Sequence, residues 1–149
     1  MTVEAEILAL LDRHLRSIWE GDLEAYTATT APDVTFFEWY ISTQRIDGLD
    51  FHLRETAAAH RSANLRRQSG ELYQVEHEVL APRVQFYGDV AIVTYTLLMR
   101  YVTGQGVSHT EHNETRVFYR REAGWQLVHC HKSPMWPAPH KPSGCETRD

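Results

Sequence analysis

The sequence predicts an α+β domain in which N-terminal helices pack on the concave face of a strongly curved antiparallel sheet. Helical periodicity is confined to the first half of the chain, whereas the segments after Gly70 are rich in β-branched and aromatic residues. Short turns that contain glycine separate these later segments, as expected for hairpins between consecutive strands. Long strands of this kind twist into a curved sheet, and helices that close it leave a pocket in its mouth.

The first helix is predicted over residues 4–20, because apolar side chains recur there at spacings of three and four. Gly21 is a natural C-terminal stop, and Asp22 is placed to cap a short second helix over residues 23–27. A Pro32-Asp33 break then precedes the sheet. The apolar stripe of the first helix consists of Leu8, Leu11, Leu15 and Ile18.

A strand is predicted over residues 34–40, and its period of two divides the side chains between two faces. Val34, Phe36, Glu38 and Tyr40 share one face. A second short strand is predicted around residues 44–46, a third helix over residues 49–60, and a polar loop over residues 62–70.

Four long strands are predicted in the second half of the chain. Pro82 predicts a bulge or kink inside the first of them. The domain is expected to occupy residues 1–133, followed by a flexible Pro-rich tail over residues 134–149. The strands are predicted over residues 72–81 with 83–87 as an extension, 90–103, 107–121 and 125–131.

Composition fits one globular domain. The chain has 149 residues, of which 42% are hydrophobic and 23% are charged, enough to bury a core without a metal or a disulfide. A net charge of −5 argues against a general nucleic-acid binder, which needs a basic face. No apolar run approaches the ~20 residues of a membrane span, and the N-terminal MTVEAEILALLDRH has acidic residues where a secretion signal has basic ones.

Two cysteines lie in very different settings. Cys130 is in an apolar stretch and Cys145 is in the Pro-rich tail, so we expect both thiols to be free. Free thiols are typical of a reducing compartment. We therefore predict a cytoplasmic protein that binds neither nucleic acid nor membranes.

Three blocks of sequence, taken in order, carry a resemblance to a known family. They are Gly48-Leu49-Asp50-Phe51-His52, Asn113-Glu114-Thr115-Arg116-Val117 and His129-Cys130-His131-Lys132-Ser133. Together they resemble the association (hub) domain of calcium/calmodulin-dependent protein kinase II, within the nuclear transport factor 2-like, or SnoaL-like, superfamily. The resemblance covers the chain from about Ile7 to Ser133. It implies a cone-shaped fold and self-association, with a homodimer at minimum and a larger ring as the extended form.

The same resemblance implies a polar pocket that takes small carboxylates. In the family a histidine of the first block and several arginines line this pocket, and the matching positions are His52, Arg116 and Lys132. One family arginine falls near Leu97, so this chain lacks that cation. Because no kinase domain precedes the blocks, we expect association and not kinase regulation to carry over. The predicted ligand-binding residues are His52, Arg116, Lys132, Glu38 and Tyr40.

The residues themselves leave two interpretations of this pocket open. An arginine fork holds a carboxylate by two parallel charge-assisted hydrogen bonds, which favours a ligand at Arg116 and Lys132. Alternatively these cations and Glu38 form an internal ion-pair network without a ligand, because buried cations need a counter-charge.

A small SnoaL-like enzyme is the alternative function. Isomerases, cyclases and dehydratases of this fold use a pocket acid or base on a small carbonyl- or carboxylate-bearing substrate, and Glu38, His52, Tyr40 and Tyr95 are the candidates here. The sequence has no nucleophile elbow, phosphate loop or paired-cysteine motif. We therefore lean against an enzyme.

A metal site is weakly supported. His129 and His131 are two residues apart on a predicted strand and share one face, but a site needs a third ligand. His77, His109 and His112 are the nearest candidates, and no spacing in the sequence selects one of them. We predict neither a metal nor a cofactor.

The predicted strands contain so many apolar residues that apolar side chains are expected on both faces of the sheet. Helices cover only one face, so the other would present an apolar patch to water. Sheet-to-sheet packing of two copies buries that patch, which predicts a two-fold dimer as the minimum unit. The residues concerned are Phe118, Tyr119, Leu98, Val102 and Leu127.

Overall fold

A computed structural model describes residues 1–135 of the chain. The order of its elements confirms the α+β class, and none of its helices is long and apolar enough to cross a bilayer. Most of the predicted tail, with Cys145, lies outside the described residues. The elements are α1 (Val3–Glu20), α2 (Leu23–Thr29), β1 (Thr30–Glu38), β2 (Ile46–Asp47), α3 (Asp50–Gln68), β3 (Leu72–Tyr87), β4 (Val90–Thr103), β5 (Gly106–Arg121) and β6 (Gly124–Pro134).

One open, curved sheet of six strands carries the fold, in the order β2-β1-β6-β5-β4-β3. The long strands β3 to β6 pair antiparallel with their neighbours in sequence, as predicted, whereas β1 lies parallel to β6. A bulge bends β3 where Pro82 predicts one: its pairing with β4 shifts register between Leu80 and Arg83, and Ala81 has a φ of 49°. Such bulges increase the local twist and curvature of a sheet.

Helix α1 packs in the concave face along a stripe that differs slightly from the predicted one. Leu11 and Leu15 are buried, whereas Leu8 and Ile18 are only partly buried. His14, which the apolar pattern omits, is wholly buried. The contact line on a helix follows positions i, i+3, i+4 and i+7, so a line that starts at Leu11 includes His14 beside Leu15.

The link between α1 and α2 is as predicted. Gly21 ends α1 in the left-handed region, with a φ of 67°, which glycine adopts without the steric penalty of other residues. The ring of His60 from α3 leaves no room for a side chain at Gly21. Asp22 Oδ1 accepts a hydrogen bond from the Ala25 N–H at 2.9 Å and caps α2.

Two predicted interruptions are wrong. Strand β1 begins at Thr30 and passes through Pro32, in a stretch where the ladder to β6 is irregular up to Thr35 and the missing proline N–H is tolerated. The predicted loop over residues 62–70 is mostly the last part of α3, which ends at Gln68. Its arginines are good helix formers, so a polar composition did not indicate a loop here.

The two faces of the sheet differ in exposure. Phe118 and Leu127 belong to the concave face and are fully buried in the core. Leu98, Val102 and Tyr119 alternate onto the convex face, where Leu98 and Val102 are partly exposed and Tyr119 is 40% exposed. The apolar residues therefore do serve both faces, and three of the five named from the sequence lie on the convex one.

Candidate functional site

A row of polar and charged side chains crosses the concave face of the sheet. The register places Glu38 of β1 beside Lys132 of β6, Lys132 beside Glu114 of β5, and Glu114 beside Tyr95 of β4. Glu38 and Glu114 each expose only 2% of their surface. Glu38, Lys132 and Glu114 alternate in sign, so the β1–β6 and β6–β5 pairs set opposite charges side by side. The β5–β4 pair sets Glu114 beside the neutral Tyr95.

Lys132 is the central cation of this row. Its Nζ lies 2.7 Å from Glu38 Oε2 and 3.9 Å from Glu114 Oε2. The ammonium also donates to the Tyr40 hydroxyl at 2.9 Å, and that hydroxyl donates to Glu38 Oε2 at 3.0 Å. Lys132, Glu38 and Tyr40 therefore form one closed set of contacts.

Arg116 lies one row further along the sheet and is 1% exposed. Its Nε donates to Glu114 Oε1 at 3.0 Å and to the Tyr95 hydroxyl at 2.9 Å, and Tyr95 donates to Glu114 Oε1 at 2.5 Å. The Nη1 of Arg116 is buried and has no hydrogen-bond partner among the described residues. Glu114 thus contacts the guanidinium through Nε alone, and the N–H groups of Nη1 are left without an acceptor among the described residues.

His52 reaches the site from α3 and stacks on Phe36 with ring centroids 3.7 Å apart. Its Nε2 forms a hydrogen bond with Glu38 Oε1. An ionised carboxylate only accepts, so Nε2 carries the proton and donates. The structure therefore brings together all five residues for which the sequence predicts ligand binding.

The carboxylates of the network are held in their charged form. Burial acts to raise the pKa of Glu38, but hydrogen bonds from His52 and Lys132 and the charge of Lys132 lower it to about 2. Burial also acts to raise the pKa of Glu114, but the charges of Arg116 and Lys132 outweigh it and hold this pKa well below its ordinary value. Two carboxylates face two cations, so the network is electrically balanced when both imidazoles that touch it are neutral.

We expect the domain to lose stability in acid through this network. A carboxylate whose pKa is lowered by folding stabilises the native state above its unfolded pKa, here 4.5, and loses that contribution as the pH falls towards its folded pKa of about 2. The shift at Glu38 corresponds to about 3 kcal/mol. Urea denaturation at pH values between about 5 and 2 should show this loss in the free energy of unfolding. In the Glu38→Gln variant the free energy of unfolding should depend less steeply on pH. If the free energy of unfolding falls equally steeply with pH in both proteins, Glu38 is not the source of the acid sensitivity.

Two cavities flank the charged row. One of about 350 Å³ extends along β4 beneath α1, and one of about 210 Å³ lies against α3 and includes His52. Both are bounded by Ile18, Tyr40, Arg116 and Lys132, so the two cations form part of the wall of each. The ion-pair network and a cavity beside it are therefore both present, although the sequence posed them as alternatives.

Sequence reasoning missed two members of the site. Glu114 lies two residues before Arg116 on a strand, and alternation alone would have placed both side chains on one face. His112 follows the same alternation, and its Nε2 contacts Glu114 Oε2 at 2.5 Å. No local pattern in the sequence predicts that Glu114 pairs with Lys132 on the neighbouring strand.

The side chains considered for acid–base catalysis each have at least one fixed partner, although the buried Nδ1 of His52 has none among the described residues. Glu38 bonds to His52, Tyr40 and Lys132, and Tyr95 bonds to Glu114. Burial raises the pKa of both tyrosines. The geometry therefore favours a fixed polar network over a catalytic acid and base.

The histidines considered for a metal site are dispersed. His129 and His131 share the convex face, with ring centroids 6.4 Å apart, and His129 Nδ1 bonds to Thr35 Oγ1 at 2.7 Å. His77 bonds instead to Asp12 at 2.8 Å. Within residues 1–135, no three His, Cys, Asp or Glu side chains are grouped so as to hold a metal ion.

Cys130 is expected to be unreactive in the folded protein. It is wholly buried and free, and burial raises the pKa of its thiol to about 12 despite the nearby charge of Arg116. The nucleophilic thiolate is therefore scarce at neutral pH. In a Cys145→Ser variant, Ellman's reagent should react only after denaturation. Rapid labelling of the native variant would show that the thiol is accessible.

A curved, open sheet with helices in its concave face and a cavity in its mouth defines the nuclear transport factor 2-like class of domains. The chain belongs to the calcium/calmodulin dependent protein kinase II association domain family, whose model matches residues 3–136.

Known proteins agree with this assignment. The rabbit (Oryctolagus cuniculus) calcium/calmodulin-dependent protein kinase type II subunit delta is 33% identical over 139 residues, which are 92% of this chain and 25% of that protein. The chain thus spans about a quarter of that relative's length. The hub homology domain of the kinase from Chlamydomonas reinhardtii superposes with a TM-score of 0.76 at 26% identity, covering 91% of this chain and 100% of that one. A nuclear transport factor 2-like protein from Salmonella enterica shares the fold, with a TM-score of 0.66 at 19% identity and 97% of each chain covered.

Proposed function

We propose that this domain associates with copies of itself, with a two-fold dimer as the minimum unit and a larger ring as the extended form. The observation that carries the proposal is the family match, which runs through residues 3–136. The convex face of the sheet supports it, because Ile92, Leu98 and Val117 are only partly buried there. A second copy packed on this face would remove those side chains from water.

The mass in solution tests this proposal. Size-exclusion chromatography with light scattering at micromolar concentration should give at least twice the 17.3 kDa of one chain. A multiple greater than two would identify the ring size. A folded chain that remains at 17.3 kDa across the concentration range would contradict self-association.

The second part of the proposed function is binding of a small carboxylate beside Arg116 and Lys132. Its support is the buried Nη1 of Arg116, which has no partner among the described residues and belongs to a side chain that bounds both cavities. An ammonium has three N–H donors, and Glu38 and Tyr40 take two of those on Lys132. A carboxylate can therefore use donors that the ion-pair network leaves open.

Isothermal titration with sodium butyrate tests this second part. We expect saturable heat from butyrate and none from butyramide, which has nearly the same shape but no charge. Tyr40→Phe should weaken butyrate binding because it removes the hydroxyl that orients Lys132. If butyrate and acetate both give no saturable heat, the carboxylate proposal is wrong, whatever the result for self-association.

A further inference from the structure

Three large side chains are exposed at the end of the sheet where the chain leaves β1. The chain turns directly after Glu38, whose carbonyl oxygen accepts hydrogen bonds from the N–H groups of Ile41 and Ser42 at 3.0 and 3.1 Å. In this turn Trp39, Tyr40 and Ile41 expose 38%, 55% and 39% of their surface. Side chains of this size stabilise a fold most when they are covered. The turn therefore presents a surface that is suited to packing against another segment.

Trp39, Tyr40 and His112 form an aromatic patch at this end of the sheet. The ring centroid of Trp39 lies 5.0 Å from that of Tyr40 and 5.5 Å from that of His112, and both pairs meet edge to face. Because His112 belongs to β5, the patch joins the turn after β1 to that strand. Strand β6 lies between β1 and β5 in the sheet, so the chain that leaves β6 emerges beside the patch.

The register shows how close the end of β6 comes to the patch. Pro134 lies opposite His112, and two residues of chain span at most about 7 Å. The side chain at position 136 therefore starts within reach of the patch. Lys132 and Pro134 are alternate residues of β6, and the same period of two places position 136 on the concave side, to which His112 also belongs.

The sequence at this point is Trp136-Pro137-Ala138-Pro139. The two prolines lack the N–H that a strand uses to extend its ladder, so we expect strand pairing to end before them. Proline instead favours the polyproline II conformation, and segments of this kind dock on aromatic surfaces. Trp136 adds a large ring directly before the prolines, and aromatic rings attract one another edge to face or in offset stacks.

We propose that residues 136–139 dock on the aromatic patch of their own chain, with the Trp136 ring against Trp39 and His112. The choice of occupant rests on where the described chain ends. Met135 joins this segment directly to β6, so the patch meets it at a high effective concentration, whereas the same segment of another copy would have to reach across from a second subunit. The contact is independent of both carboxylate binding and self-association.

Fluorine NMR of the full chain labelled with 5-fluorotryptophan tests this contact. The chain has four tryptophans, and single substitutions to phenylalanine assign their signals. We expect the Trp136 signal of the native protein to be shifted from its position in the urea-unfolded chain, because a neighbouring ring and the loss of solvent change its shielding. Trp125 is 8% exposed and lies at the start of β6, so its signal reports whether each variant is folded.

Two variants locate the contact, and a third serves as the control. Trp136→Ser should shift the Trp39 signal and leave the Trp125 signal unchanged. Trp39→Ala should return the Trp136 signal to its unfolded position. Tyr87→Ala removes an aromatic ring that is 59% exposed at the end of β3 and should leave the Trp136 signal unchanged.

Refolding of mixed chains distinguishes the chain's own segment from that of another copy. Labelled Trp39→Ala chains are refolded from urea with an excess of unlabelled, unaltered chains. The labelled Trp136 signal should remain at its unfolded position. If it returns to the native position, the segment docks on a second copy, and the same-chain proposal is overturned.

The other outcomes are equally decisive. If the Trp136 signal of the unaltered native chain coincides with that of the unfolded chain, the segment does not dock. If this signal is shifted but does not respond to Trp39→Ala in a folded variant, Trp136 packs elsewhere and the proposal is wrong. If Trp39→Ala does not fold, Trp136→Ser decides alone, and an unchanged Trp39 signal in that variant overturns the proposal.

Discussion

Arg116→Ala is expected to lower the free energy of unfolding by about 3–5 kcal/mol, because it breaks a buried ion pair and leaves one partner uncompensated. Glu114 is 2% exposed in the unaltered protein, and without the guanidinium its remaining Lys or Arg neighbour is Lys132, at 3.9 Å. Lys132 is itself committed to Glu38 at 2.7 Å. Urea denaturation followed by circular dichroism at neutral pH measures the loss.

Arg120→Ala is the matched control on the same strand. Arg120 pairs with Asp89 at 2.8 Å, but its side chain is 53% exposed, so its removal should cost no more than about 1 kcal/mol. The double variant Arg116→Met with Glu114→Gln should recover much of the stability, because it removes the buried charges together. If Arg116→Ala is as stable as the unaltered chain but no longer binds butyrate, Arg116 serves the ligand and not the fold.

Val117→Lys is expected to separate the assembled protein into folded single chains. Val117 is partly buried on the convex face, where it pairs with Ile92 of β4 and His129 of β6. A two-fold interface would bury the new ammonium twice without a counter-charge. We expect the dissociation constant to rise by at least about a hundredfold, or about 2.8 kcal/mol. Light scattering over a dilution series measures the change.

Leu65→Lys provides the comparison for this substitution. Leu65 is 67% exposed and lies on α3, away from the convex face, so the same type of change should leave the mass unaltered. If Val117→Lys assembles like the unaltered chain while remaining folded, the interface lies elsewhere. If both variants dissociate, a general effect of added positive charge is responsible.

Local patterns predicted most of the fold, and the exceptions have identifiable causes. Strand β4 has the predicted bounds, Val90–Thr103, because β-branched and aromatic residues predominate in this mostly apolar stretch between two turns. The polar composition of residues 62–70 predicts a loop, but arginine favours helices, so α3 continues to Gln68. Pro32 predicts a break in the chain, whereas the surrounding sheet accommodates it at an irregular part of the ladder between β1 and β6.

The sequence alone determined the order of helices and strands, the alternation of side chains between two faces within each regular stretch of strand, and the family. These properties depend on the backbone period of each segment or on the residues themselves. Only the tertiary structure decided that Glu38, Lys132, Glu114 and Tyr95 form one row, and that the charges of this row stand between two cavities. Neighbours across strands depend on register, and here a register shift between β5 and β6 at Val117 and Phe118 and the parallel pairing of β1 with β6 set that register. No local pattern specifies such long-range pairing, because a shift of one residue exchanges the two faces of a strand.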